Sequence, residues 1–121
     1  MPTTSDIWPT EIRVNKEKKG LTVSFDDGSQ YDLTAEYLRV MSPSAEVQGH
    51  SPDQRKTVGG KRNVGIMKVE PIGNYAVKIT FDDMHDTGIF SWTYLSELGQ
   101  EHDSRWPAYL AELEEKGLAR D

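Results

Sequence analysis

Two stretches of the chain follow one grammar: Leu21–Leu38, LTVSFDDGSQYDLTAEYL, and Val77–Leu95, VKITFDDMHDTGIFSWTYL. Each runs an apolar strand into Phe-Asp-Asp, returns, and enters an aromatic-bearing segment that closes on Tyr-Leu. From Phe25 to Leu38 is 13 positions and from Phe81 to Leu95 is 14, so one insertion aligns them. Leu21, Val23 and Phe25 alternate on one face, as do Tyr75, Val77, Ile79 and Phe81, which is the period of a half-buried strand. Asp-Asp followed by small or polar residues supplies turn chemistry. The expectation is two hairpins, each leading into a helix, that pack as a pseudo-symmetric pair. The alternative is chance repetition of common hairpin patterns.

The rest of the chain fits around these units. EIRVN (Glu11–Asn15) reads as a strand that pairs with Leu21–Phe25 across the charged turn KEKKG. Thr34 has the hydroxyl to cap a helix AEYLRVM. Pro71 and Gly73 suit a turn within EPIGN, between two strands of the second unit. WTYLSELG reads as a helix closed by Gly99. In the final segment Asp103 or Ser104 can cap a helix over 104–117, with Pro107 in its first turn and Gly117 at its end. Trp106, Leu110 and Leu113 lie at helical spacing there, with Glu112, Glu114 and Glu115 mostly outward. Between the units, 42–63 holds two prolines, three glycines and little apolar pattern, and reads as a long, partly flexible loop. The fold class expected is α+β: a twisted antiparallel sheet of hairpins with two or three helices, in a single domain over 1–121.

Composition excludes several chemistries. Cysteine is absent, which removes disulfides, thiolate metal sites and thiol nucleophiles. Fourteen basic against 20 acidic residues give a net charge of −6, which opposes nucleic-acid binding because phosphates must be neutralised. The N-terminus has neither a basic cap nor an apolar run, and no stretch approaches membrane-spanning length, so a cytoplasmic location is expected. The charge is uneven. Ser42–Gly65 carries Arg55, Lys56, Lys61 and Arg62 against two acids, and Glu97–Asp121 carries seven acids against three bases.

Two places invite a functional reading. In FDDMHD, His85 with Asp83 or Asp86 offers an imidazole and carboxylates, donors suited to iron or zinc. No second histidine stands nearby at ligand spacing, and a polar turn capped by its own aspartates accounts for the same residues. An Asp83–His85 acid–base pair is a further reading, and it needs a deep pocket beside the histidine. The loop TVGGKRN departs from the phosphate-binding G-x-x-x-x-G-K-[ST] pattern, since its glycines are adjacent and Arg62 follows Lys61. The bases of the wider stretch Arg55–Arg62, namely Arg55, Lys56, Lys61 and Arg62, suit an acidic protein surface instead. No G-x-S-x-G elbow occurs, and no serine is paired with a histidine by local pattern.

YLRVMSPSAEVQGH and GNYAVKITFDDMHDTGIFSWTYLSELG resemble small bacterial proteins related to the N-terminal domain of gamma-butyrobetaine hydroxylase, catalogued mainly as a domain of unknown function. The resemblance runs from about Ile12 to Gly99. In the full-length hydroxylases this domain precedes a separate 2-oxoglutarate-dependent catalytic domain, for which 121 residues leave no room. The resemblance therefore implies no hydroxylation. It also implies a correspondence with a structural zinc site of three cysteines and one histidine. Ser42, Ser44 and Val47 match the cysteines and His85 matches the histidine, so a tetrahedral site of that type cannot form here. Relatives fused to P-loop ATPases thought to carry iron–sulfur clusters imply, by association, an accessory role in iron–sulfur assembly.

The expected function is a non-enzymatic accessory or protein-binding module without a resident cofactor, its partner an iron–sulfur carrier ATPase. The alternative is a protein that binds iron or zinc through His85 with Asp83 or Asp86.

Overall fold

A computed structural model describes residues 8–49 and 56–121, the side chains of 45 and 46 excepted. Two antiparallel sheets of three strands carry the fold, in the orders β1-β2-β3 and β4-β5-β6. The strands are β1 (Pro9–Val14), β2 (Gly20–Phe25), β3 (Gln30–Thr34), β4 (Ile66–Ile72), β5 (Ala76–Phe81) and β6 (Gly88–Ser91). Helices α1 (Ala35–Val40) and α3 (Trp92–Gln100) follow β3 and β6 directly. A single turn, α2 (Ala45–Gln48), lies between the units, and α4 (His102–Glu115) follows α3. The class is α+β, as the hairpin grammar requires.

The repeat is more extensive than its sequence. In each unit the central strand is buried on the same alternating face, Leu21, Val23 and Phe25 in β2, Val77, Ile79 and Phe81 in β5. Both first strands carry a bulge at the same place, between Pro9 and Glu11 and between Ile66 and Lys68. Thr34 and Ser91 cap α1 and α3 alike, each hydroxyl accepting the backbone N–H three residues on, from Tyr37 and Tyr94. The first helical N–H of each unit is satisfied in the same way, Ala35 by the Lys19 carbonyl at 2.8 Å and Trp92 by the Tyr75 carbonyl at 3.0 Å.

The two units lock through reciprocal tyrosines. The Tyr37 hydroxyl donates to the Leu98 carbonyl at 2.7 Å, and the Tyr94 hydroxyl donates to the Met41 carbonyl at 2.5 Å. Both acceptors sit at helix C-termini, where carbonyls have no intrahelical donor. Each tyrosine thus completes the end of the other unit's helix. Around this pair one core joins both sheets, with Leu21, Leu38, Ile79, Phe81, Phe90 and Leu95 among its members.

Several expectations change. Pro71 lies inside β4 and not in the turn; β4 is an edge strand, where a missing N–H costs no ladder bond. Tyr75 falls in that turn and is exposed, so the buried face of β5 begins at Ala76 and Val77. Gly99 does not end α3 but lies within it, because the Tyr31 ring packs where a Cβ would stand, 2.2 Å from its Cγ. Neither Asp103 nor Ser104 caps α4, which starts at His102 directly behind α3, with Pro107 in its interior. Its buried face is Trp106, Tyr109 and Leu113, while Leu110 is exposed. It closes on Gly117 at φ 68°, with Leu118 N–H donating to the Leu113 carbonyl and Gly117 N–H to that of Glu114. That bonding is a Schellman motif. Of the 42–63 loop, α2 is helical and 50–55 lie outside the described residues.

Candidate functional site

The two Phe-Asp-Asp turns share one backbone. Phe25 N–H donates to the Ser29 carbonyl and Gly28 N–H to that of Phe25; Phe81 N–H donates to the His85 carbonyl and Met84 N–H to that of Phe81. This is a three-residue hairpin loop whose last residue must take positive φ. Gly28 does so at 90° and Met84 at 72°. Asp27 Oδ1 accepts from Ser29 N–H at 2.9 Å, and Asp83 Oδ1 accepts from His85 N–H at 3.1 Å. The turn expected from hairpin chemistry is therefore present, with His85 where the first unit has Ser29.

There the units part. His85 is 5 % exposed and reaches under the α1–α2 linker. Its Nε2 lies 2.9 Å from Ser42 Oγ and 3.4 Å from Ser44 Oγ, and both serines are buried. Gly88 makes room for this cluster, since a Cβ on it would stand 2.5 Å from Ser42 Oγ. The positions matched by resemblance, Ser42, Ser44 and His85, do meet in space, and they meet as hydrogen-bonding partners. Val47 is buried on α2.

Asp83 faces elsewhere. Its Oδ2 accepts from Arg39 Nε at 2.8 Å and Lys61 Nζ at 2.5 Å. Burial pushes this carboxyl up, but hydrogen bonds from Lys61, the His85 N–H and Arg39 outweigh it and hold the pKa at about 2. Asp86 is exposed. The His85 N–H donates to Asp83, and the two side chains turn to different partners, His85 to Ser42 and Ser44 and Asp83 to Arg39 and Lys61. Among the described residues, no group of three or more His, Asp or Glu side chains is arranged to hold a metal ion.

The basic loop divides in the same way. Arg55 lies outside the described residues, and Lys56 is exposed, its backbone N–H on the Val47 carbonyl at 2.7 Å. Lys61 is drawn inward to Asp83. Arg62 is exposed beside Asp121, 2.5 Å away, on a C-terminal strap that bonds Gly60 and Arg62 N–H to the carbonyls of Ala119 and Arg120. Arg120 fixes the strap to α1 by a two-pronged bond to the buried Glu36, at 2.9 and 2.7 Å, and lies over the Trp106 ring.

A cleft of about 390 Å³ opens between the α1–α2 linker, the end of α2, α3 and α4. Met41, Pro43, Tyr94 and Tyr109 form its apolar wall, and Arg105 and Glu112 its polar edge. None of its lining comes from the Asp83–His85 turn. Sequence reasoning missed this cleft and the role of Arg39, because their residues are scattered over three helices and a linker with no local motif.

The gamma-butyrobetaine hydroxylase-like N-terminal family matches residues 12–96. A protein solved by NMR in solution is 50 % identical, with 94 % of this chain and 90 % of that one covered and a TM-score of 0.80. A second NMR structure is 42 % identical over 99 % and 89 % of the two chains, at 0.83. A crystal structure of a protein of unknown function from Acidithiobacillus ferrooxidans ATCC 23270, a member of the DUF971 family, is 38 % identical over 79 % and 93 %, at 0.63. No curated protein matches the chain. The matched segment takes in both repeat units and both turns, and the chain belongs to the gamma-butyrobetaine hydroxylase-like N-terminal family.

Proposed function

We propose that the protein is a non-enzymatic accessory module that acts by binding another protein. The observation that carries this reading is the commitment of the two groups best suited to chemistry. His85 is held by two buried serines, and Asp83 by Arg39 and Lys61. A general base or metal ligand has to present a lone pair to solvent or substrate, and both groups direct theirs into the fold. The exposed Lys56 and Arg62 and the cleft lined by Met41, Pro43, Tyr94 and Tyr109 remain as surfaces for a partner.

The family association points to a P-loop ATPase that carries iron–sulfur clusters as the partner class. The test is calorimetric titration of the purified chain with such an ATPase from the same host, alongside Lys56→Glu/Arg62→Glu. Saturable binding weakened by the charge reversal supports the proposal. Metal-free protein titrated with Zn²⁺ and Fe²⁺ examines the metal-binding alternative, with His85, Asp83 and Asp86 as ligands. Stoichiometric uptake that vanishes in His85→Ala would replace the proposal with that alternative.

A further inference from the structure

Met84 has no structural reason to be a methionine. Its turn is built as the Phe25–Ser29 turn is, with the same two backbone hydrogen bonds, and the matching position there is Gly28. Met84 nevertheless takes φ 72°, a conformation disfavoured for a side chain with Cβ and Cγ. Such strain persists where the side chain serves a purpose that glycine cannot. That purpose is not packing, since Met84 is 77 % exposed, the most exposed large apolar residue among those described.

Resting on the protein-binding reading above, we infer that Met84 is an anchor that inserts into an apolar, basic-rimmed socket on a partner protein. An unbranched thioether adapts its shape to such a socket. The charge of the rim follows from the neighbours: Asp82 and Asp86 flank the methionine, both exposed, and neither forms an ion pair among the described residues. An apolar tip between two exposed carboxylates meets least resistance, and is steered fastest, at a surface that offers bases around an apolar hole. The turn is also well braced. Asp82 N–H donates to the Gly65 carbonyl at 2.9 Å, and His85 ties the turn to the linker, so the tip is presented with little entropy left to lose.

The experiment has two parts. First, the thermal midpoint of Met84→Gly is compared with that of the wild-type chain. Removing the strain outweighs the extra freedom of glycine in the unfolded chain, so the midpoint rises by about 2–4 °C. An unchanged or lower midpoint removes the premise.

Second, benzoylphenylalanine is placed at position 84, and separately at position 62, in the full chain in host lysate. A discrete adduct from position 84 is expected, competed by unlabelled wild-type chain but needing about tenfold more Met84→Gly for the same effect, as for an interface anchor. Asp82→Lys/Asp86→Lys is an equally poor competitor. Equal competition by Met84→Gly overturns the inference. An adduct from position 62 with none from 84 overturns it too, while leaving the protein-binding reading intact. No adduct from either position counts against both.

Discussion

His85→Ala separates a structural histidine from a metal ligand. The imidazole is almost wholly buried, its ring centroid 6.1 Å from that of Phe81, and its Nε2 faces Ser42 and Ser44. Truncation removes a ring from the interior, which costs about 2–3 kcal/mol where the walls cannot collapse. It also strips a partner from the fully buried Ser42 hydroxyl, for about another 1 kcal/mol. The expected loss is about 3–4 kcal/mol, a large share of the stability of a domain this size. The assay is urea unfolding of wild type and variant, each dialysed against chelator and then repeated with zinc. Ser42→Ala should cost about 1–2 kcal/mol and Ser44→Ala less, because its hydroxyl is the farther one, 3.4 Å against 2.9 Å. A His85→Ala loss below about 1 kcal/mol in chelator, or one that emerges only when zinc stabilises the wild type, would refute the hydrogen-bonded pin.

The reciprocal tyrosines should respond unequally: Tyr37→Phe, fully buried, loses about 1–1.5 kcal/mol in urea unfolding and the part-exposed Tyr94→Phe less, since water can reach the freed Met41 carbonyl. Burial pushes the Tyr37 and Tyr109 hydroxyls up to about 12, so the unfolded chain ionises first; stability is complete below about pH 10 and falls as pH rises toward 12, a fall that Tyr37→Phe/Tyr109→Phe should flatten in alkaline melts. At the acid end, Asp83 contributes stability above about pH 4 that is lost as pH falls toward 2, and Asp83→Asn should remove that dependence while lowering stability at neutral pH. Gly99→Ala gains about 1 kcal/mol of helix propensity yet drives a methyl into the base of the Tyr31 ring, so calorimetry should show a lower midpoint, a net loss of about 1–2 kcal/mol.

The hairpins were legible because their signals are local. Alternation in β2 and β5, the Phe-Asp-Asp turns and the Thr34 cap are each decided by neighbours within a few residues. What escaped reading depends on distant partners. Gly99 reads as a helix end until Tyr31, from the other unit, is seen to occupy its Cβ position. His85 lies more than 40 residues from both Ser42 and Ser44, and no spacing rule joins it to them; only the family resemblance placed the three together. The same resemblance left Arg39 unassigned, although it holds Asp83. A lone arginine on an amphipathic helix gives no sequence cue to the carboxylate it will meet.

The internal repeat supplies a control for deciding which residues exist for the fold. Bulges, caps, first helical N–H bonds and tyrosine contacts recur in both units, so they satisfy requirements of the architecture. Function should concentrate where the second unit departs from the first, because the first shows that the fold does not need the departure. The departures cluster. Gly28 becomes Met84, Ser29 becomes His85, and Asp83 acquires Arg39 and Lys61, which Asp27 lacks. All of them surround one turn and the linker laid against it, and the cleft beside Pro43 opens from that same linker. His85 and Asp83 fix the turn to the body, and Met84 alone of the three projects from it. A rigid mount under an exposed, strained apolar tip is the arrangement that recognition demands, because contacts made by a pre-positioned group lose the least to ordering.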